Sequence, residues 1–212
     1  MTVDALHNED PEATGVSPED RARAEVYALL SSLFYQPPTA KLLHAIATTK
    51  TICNDVSVSG FCEAWHALQL AAASADTEAV KDEFDTAFIG TGRQPVMLYG
   101  SYYLAGFLNE KPLAQLRDEL AQMGFARRGD RHETEDHISA LCDVMRFLIV
   151  GDHDTPPAAL DVQRDFFLRH INSWNDQLCA AVDTANATRF YKFVGRFTGE
   201  FFALENEAFA IA

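Results

Sequence analysis

Between His132 and His137 the chain places two histidines and three carboxylates within six residues, and then runs into an apolar stretch that ends at Ile149. Such a cluster can hold a metal, tune an acid/base pair, or present charge to a bound segment. For metal, His132-Glu133-x-x-x-His137 is near the zinc-protease HExxH pattern, but its histidines are five apart instead of four. On a helix that is a rotation of roughly 140°, so the two rings point to different faces. Glu133 and His137 do share a face, which gives a two-ligand start with no third ligand in view. The other histidines, His7, His44, His66, His153 and His170, sit in unrelated segments.

For acid/base work, Asp136 and Glu133 beside His137 can shift an imidazole pKa. An enzyme also needs a nucleophile, a cofactor loop or an oxyanion site. Ser101, in Tyr99-Gly100-Ser101-Tyr102, lacks the GxSxG elbow, and Gly90-Thr91-Gly92 is too short to cradle a phosphate. A metal-dependent hydrolase using Glu133, Asp136 and His137 stands as the alternative. The third chemistry is peptide binding. Glu133, Glu135 and Asp136 would hold basic residues by charge-assisted hydrogen bonds, and Phe84, Phe88, Tyr99, Tyr102 and Tyr103 would bury an apolar stretch. Against it stands a plain structural reading, in which the carboxylates cap a helix and the rings are core. Pattern alone leaves both open.

The elements that must position these residues read as helices. The chain has 212 residues and is 48% hydrophobic, enough for one large domain with a real core. Ser17-Pro18-Glu19-Asp20 opens a helix that stops before Pro37-Pro38. Helices follow at about 39–48 and 58–74, and another is capped by Asp76 or Thr77. A Gly/Pro loop spans 89–95. Val96 to Leu108 is part extended and part short helix. Pro112 opens a helix ending at Gly124, and Asp130–Glu133 has capping-box spacing ahead of a helix over 134–150. Thr155-Pro156 starts a long helix whose stripe is Phe167, His170, Ile171, Trp174 and Leu178. Asp183 or Thr184 caps the last, with Phe190, Val194, Phe197, Phe201 and Leu204 on one face. Strand signals are nearly absent. An all-α single domain of about nine helices over 17–212 follows, behind a disordered acidic tail at 1–16.

A net charge of −14 argues against nucleic acid and anionic membranes and favours a basic partner segment. No apolar run is long enough to span a bilayer and no secretory signal opens the chain, so a cytoplasmic protein without membrane insertion is expected. Cys53, Cys62, Cys142 and Cys179 show no CxxC spacing, and free thiols are the simplest expectation.

Five segments in order, from about Arg21 to Glu207, resemble the TorD/DmsD family of cytoplasmic redox-enzyme maturation chaperones. Glu133-x-x-Asp136-His137 is similar to the family's E-P-x-D-H. Glu83-Phe84-x-x-x-Phe88-Ile89-Gly90 is similar to its aromatic-x-x-L-F-V-G-P. Tyr99-Gly100-Ser101-Tyr102-Tyr103 is similar to its W-x-S-V-Y/W. Leu113-x-x-Leu116-Arg117 through Gly124-Phe125 fits the next helix. Phe167-x-x-His170-x-x-x-Trp174 and Phe190-Tyr191 come in family order. The resemblance implies a TorD-like helical bundle, no catalysis and no cofactor of its own. It implies a partner: the N-terminal leader, often a twin-arginine signal peptide, and the catalytic subunit of a molybdoenzyme of reductase or formate dehydrogenase type. It implies leader binding at Asp136 and His137, with aromatics at Phe88, Tyr99 and Tyr103. With Glu133, Phe84 and Ser101 these make the expected peptide-binding set. Some members form homodimers or bind guanine nucleotide weakly. The chain departs from the pattern at Thr134, where the family has proline, and at Met97-Leu98-Tyr99, where it has P-P-W.

Overall fold

Ser17 does what its type requires at a helix start: its hydroxyl oxygen accepts the Asp20 amide at 3.0 Å, with Pro18 at the first helical position. Helix α1 (Pro18–Tyr35) follows. In the computed structural model, which describes residues 16–50, 59–90, 94–126 and 133–211, nine further α-helices succeed it. They are α2 (Ala40–Thr48), α3 (Ser59–Ala73), α4 (Thr77–Phe84), α5 (Gly100–Ala105), α6 (Lys111–Gln122), α7 (Ile138–Val150), α8 (Leu160–Phe167), α9 (Asn175–Thr184) and α10 (Phe190–Ile211). Single π-helical turns extend α4 over Asp85–Ile89 and α8 over Leu168–Asn172. Among the described residues there is no strand, only an isolated antiparallel bridge between Tyr99 and His137. The all-α fold expected from the sequence is therefore what the chain adopts.

The core forms where α1 packs along α7 and where α10 packs on α3 and α9. Tyr27, Leu30, Leu33 and Phe34 of α1 meet Leu141, Cys142, Met145 and Leu148 of α7, all buried. Phe197, Phe201 and Phe202 of α10 close the other side, with Tyr27 set edge-on to Phe201 at 4.9 Å. One charge crosses this interior. Arg23 pairs with Glu205 at 2.7 Å, Glu205 also accepts the Tyr27 hydroxyl at 3.0 Å, and the guanidinium lies over the Phe209 ring. Burial alone would lower the Arg23 pKa, but its bonds to Glu205 and Asp20 outweigh that and raise it.

Four expectations need correction. Helix α7 begins at Ile138, not 134, because His137 is its N-cap and 133–137 is turn and bridge; Asp130 lies outside the described residues. The expected long helix after Pro156 is two, since the π turn and Trp174, at φ −144°, break it. Its apolar stripe is still buried throughout: Phe167, His170, Ile171, Trp174 and Leu178. The last helix starts at Phe190, and its N-terminal amides are capped from a distance. The Glu83 carboxylate accepts Arg189 N and Tyr191 N at 2.7 Å and Phe190 N at 3.0 Å. Thr184, read as a cap, bonds instead to Ala180 O inside α9. Finally, Cys142 and Cys179 are free, but Cys62 is disulfide-bonded, so the cysteines are not all thiols; Cys53 lies outside the described residues. So do residues 1–15 of the expected acidic tail. Among the described residues no helix is long and apolar enough to cross a membrane.

Candidate peptide-binding site

The histidine- and acid-rich turn and the Tyr99 segment are joined by backbone. Gly100 N donates to Asp136 O and Ile138 N donates to Leu98 O, each at 2.9 Å, which makes the Tyr99–His137 bridge. This bridge brings together segments far apart in sequence. Side chains complete it. The Asp136 carboxylate accepts the Ser101 amide at 2.8 Å on one oxygen and the Thr134 hydroxyl at 2.6 Å on the other. Tyr99 sets its ring edge-to-face against His137, centroids 5.0 Å apart, and donates its hydroxyl to Glu133. Burial, the bond to Glu133 and that carboxylate's charge together raise the Tyr99 phenol well above its ordinary range.

His137 caps α7 through its ring: Nδ1 accepts the Ser139 amide at 3.1 Å. An imidazole nitrogen that accepts an amide carries no proton, so the proton is on Nε2. Burial, the largest influence, pushes the imidazole pKa down to about 4, against the opposing pull of Glu133 and Asp136. At neutral pH His137 is an uncharged ring.

In front of this framework runs a groove of about 470 Å³ between the end of α1, α6 and the exposed side of α7. Val144, Phe147, Leu120 and Phe125 give it an apolar floor, with Phe125 edge-on to Phe147 at 5.0 Å. Glu133, Glu135 and Asp143 supply carboxylates, and Arg117 and Arg146 supply cations. Arg117 bonds Glu135 at 2.8 Å. His137 also lines it.

Of the expected residues, Glu133 and His137 line the groove. Tyr99 and Asp136 stand directly behind them, and Ser101 lies beneath, fully buried, its hydroxyl without a hydrogen-bond partner. Tyr103 is turned elsewhere: it stacks on Trp174 at 5.3 Å and donates its hydroxyl to Met97 O at 2.8 Å. Phe84 and Phe88 are core rings, 3% and 4% exposed, packed on each other and on Tyr191. For these two the structural reading wins over the surface one, because the face they share is packed against Tyr191 of α10. Sequence reasoning missed the groove floor. The signal was there: Ala140, Val144 and Phe147 form a second helical stripe on α7, beside the core stripe of Leu141, Cys142, Met145 and Leu148.

The donors of a hydrolytic centre do not converge. Glu133 faces Tyr99, both Asp136 oxygens face Ser101 and Thr134, and the His137 lone pair faces Ser139. Three groups spent on four different partners form no shared ligand set.

The family model for the nitrate reductase delta subunit matches residues 55–180 of this chain. The chain is 30% identical over 203 residues to the chaperone protein TorD of Aliivibrio salmonicida, covering 86% of this chain and 92% of that one. It is 28% identical to the TorD chaperone of Aliivibrio fischeri, covering 76% of this chain and 83% of that one. Against the TorD chaperone of Vibrio cholerae O1 El Tor it is 29% identical, covering 72% and 76%. With most of its length matched in this way, the chain belongs to the nitrate reductase delta subunit family of TorD-type chaperones.

Proposed function

We propose that this protein, a member of a chaperone family and not an enzyme, serves molybdoenzyme maturation by holding the N-terminal leader of the catalytic subunit in the α1/α6/α7 groove. There, in the cytoplasm, the leader is kept occupied until cofactor insertion and folding of the client are complete. The observation that carries the reading is the groove itself: carboxylates of Glu133, Glu135 and Asp143 beside an apolar floor of Val144, Phe147 and Phe125. A twin-arginine leader has the complementary order, basic residues followed by an apolar stretch. The groove's size is that of a specific pocket rather than a surface dimple. Ion pairing at its rim sets register and on-rate, and the rings supply burial energy.

Calorimetry with a synthetic peptide, two adjacent arginines followed by about ten apolar residues, tests this. Phe147→Ala, at the centre of the floor, is expected to weaken binding by about tenfold or more. Absence of binding by the wild type, or an unchanged affinity in Phe147→Ala, overturns the groove as the leader site.

A further inference from the structure

We infer that Asp136 touches no ligand: it is a positioning residue, a clamp that fixes the Tyr99 segment so that the Tyr99 hydroxyl aims the Glu133 carboxylate at the groove. The inference rests on the leader-binding reading and divides the labour within it. Glu133 carries the charge that meets a basic residue, Tyr99 orients it, and Asp136 holds Tyr99.

The Asp136 side chain is 4% exposed and is not part of the groove lining, whereas Glu133 is. Both of its oxygens are already engaged inside the fold. One satisfies the Ser101 amide, an N–H in the first turn of α5 that has no partner within that helix, and the other takes the Thr134 hydroxyl. An incoming guanidinium would have to reach a residue that is 4% exposed and compete there with the buried Ser101 amide, whose loss of its acceptor would cost about what the guanidinium gains. The backbone of the same residue accepts Gly100 N. Residue 136 therefore grips residues 100 and 101 by two independent bonds, and Tyr99 is the next residue along. Its hydroxyl ends on Glu133 and its ring on His137. A shift of the Gly100–Ser101 backbone moves the phenol, and with it the carboxylate that the phenol donates to.

Asparagine separates clamp from contact. Its carbonyl oxygen still accepts the Ser101 amide, and its NH2 donates to the Thr134 hydroxyl, which reverses its role. As a salt-bridge partner for arginine it is useless. Amide hydrogen exchange followed by NMR without ligand reads the clamp directly. Ser101 N–H in D136N should exchange within about threefold of wild type, and in D136A at least about tenfold faster. Peptide binding by calorimetry then reads the relay. With the diarginine peptide, D136N should bind within about threefold of wild type, D136A and E133Q about tenfold or more weaker, and E133Q with a reduced salt dependence.

D136N binding as poorly as D136A, with Ser101 exchange preserved, overturns the proposal, since the charge itself would then be the contact. Unchanged Ser101 exchange in D136A overturns the clamp. Should D136A not fold, D136N alone decides. If wild type binds no peptide, the leader reading falls, while the exchange rates of Ser101 still decide whether the clamp stands.

Discussion

The indole of Trp174 occupies the space that a side chain on Gly100 would need: a Cβ there would stand 3.0 Å from Nε1 and 3.2 Å from Cε2. The indole cannot readily yield. Its Nε1 donates to His170 O at 2.6 Å, a carbonyl in the π turn, and its face is stacked on Tyr103. The π turn of 168–172 thus delivers Trp174 to the start of α5, directly behind the Tyr99–His137 bridge. Gly100→Ala is expected to push the indole off its carbonyl and cost about 1–3 kcal/mol. Urea unfolding measures the loss, and a shift in tryptophan emission reports the moved ring. An unchanged spectrum and midpoint would show that the indole has room to retreat.

A second long-range tie fixes the other end of the bundle. Glu83, in α4, accepts three consecutive amides at the start of α10. Glu83→Ala removes the acceptor for all three and should destabilise the fold by about 1–3 kcal/mol. Glu83→Gln keeps one oxygen acceptor and should fall between. The midpoint of urea unfolding should move in that order while its slope stays constant.

The Arg23–Glu205 pair holds α1 to α10 with its carboxylate buried, Glu205 being 2% exposed, and its guanidinium partly so. Glu205→Ala leaves a partly buried guanidinium without its main partner and the Tyr27 hydroxyl without an acceptor. The expected cost is about 3–5 kcal/mol, against about 1 kcal/mol for Tyr27→Phe, which removes one hydrogen bond and leaves the ion pair standing. Equal losses in the two variants would mean that the pair contributes nothing beyond the tyrosine bond.

How far the sequence carried depended on the range of the interaction that decides each feature. The helix at Pro18 is set by Ser17, three residues from its partner amide, and pattern reads it directly. The start of α10 is set by Glu83, more than a hundred residues away, and no local signal at Asp183 or Thr184 reports that. The break at Trp174 is of the same kind: its apolar stripe continues in helical register, and only the carbonyl bonded by the indole reveals the interruption. At the site, His132–His137 was legible as a cluster because its chemistry is local. Its meaning was not, because the partners that commit Asp136 and Glu133 sit on the Tyr99 segment. Phe84 and Phe88 mislead for a related reason. Four-residue spacing gives them one helical face, and whether that face meets solvent or Tyr191 is a tertiary fact.

His137 gives the last prediction, and its sign follows from burial. Its folded pKa, about 4, lies below the ordinary 6.5, so the unfolded chain binds a proton that the native ring refuses. The stability that the neutral ring contributes is complete above pH 6.5 and is lost as pH falls toward 4. Between about pH 7.5 and 5 the loss is on the order of 2 kcal/mol. His137→Asn keeps an oxygen to accept the Ser139 amide, so the α7 cap survives, but the titration disappears. Urea unfolding of both proteins at the two pH values isolates this contribution. His170, also lowered by burial, affects wild type and variant alike and cancels in the difference. The variant should lose less stability than wild type on acidification. A gap between the two proteins that does not change with pH would mean that His137 titrates alike in the folded and unfolded chain, and that burial does not hold its ring neutral.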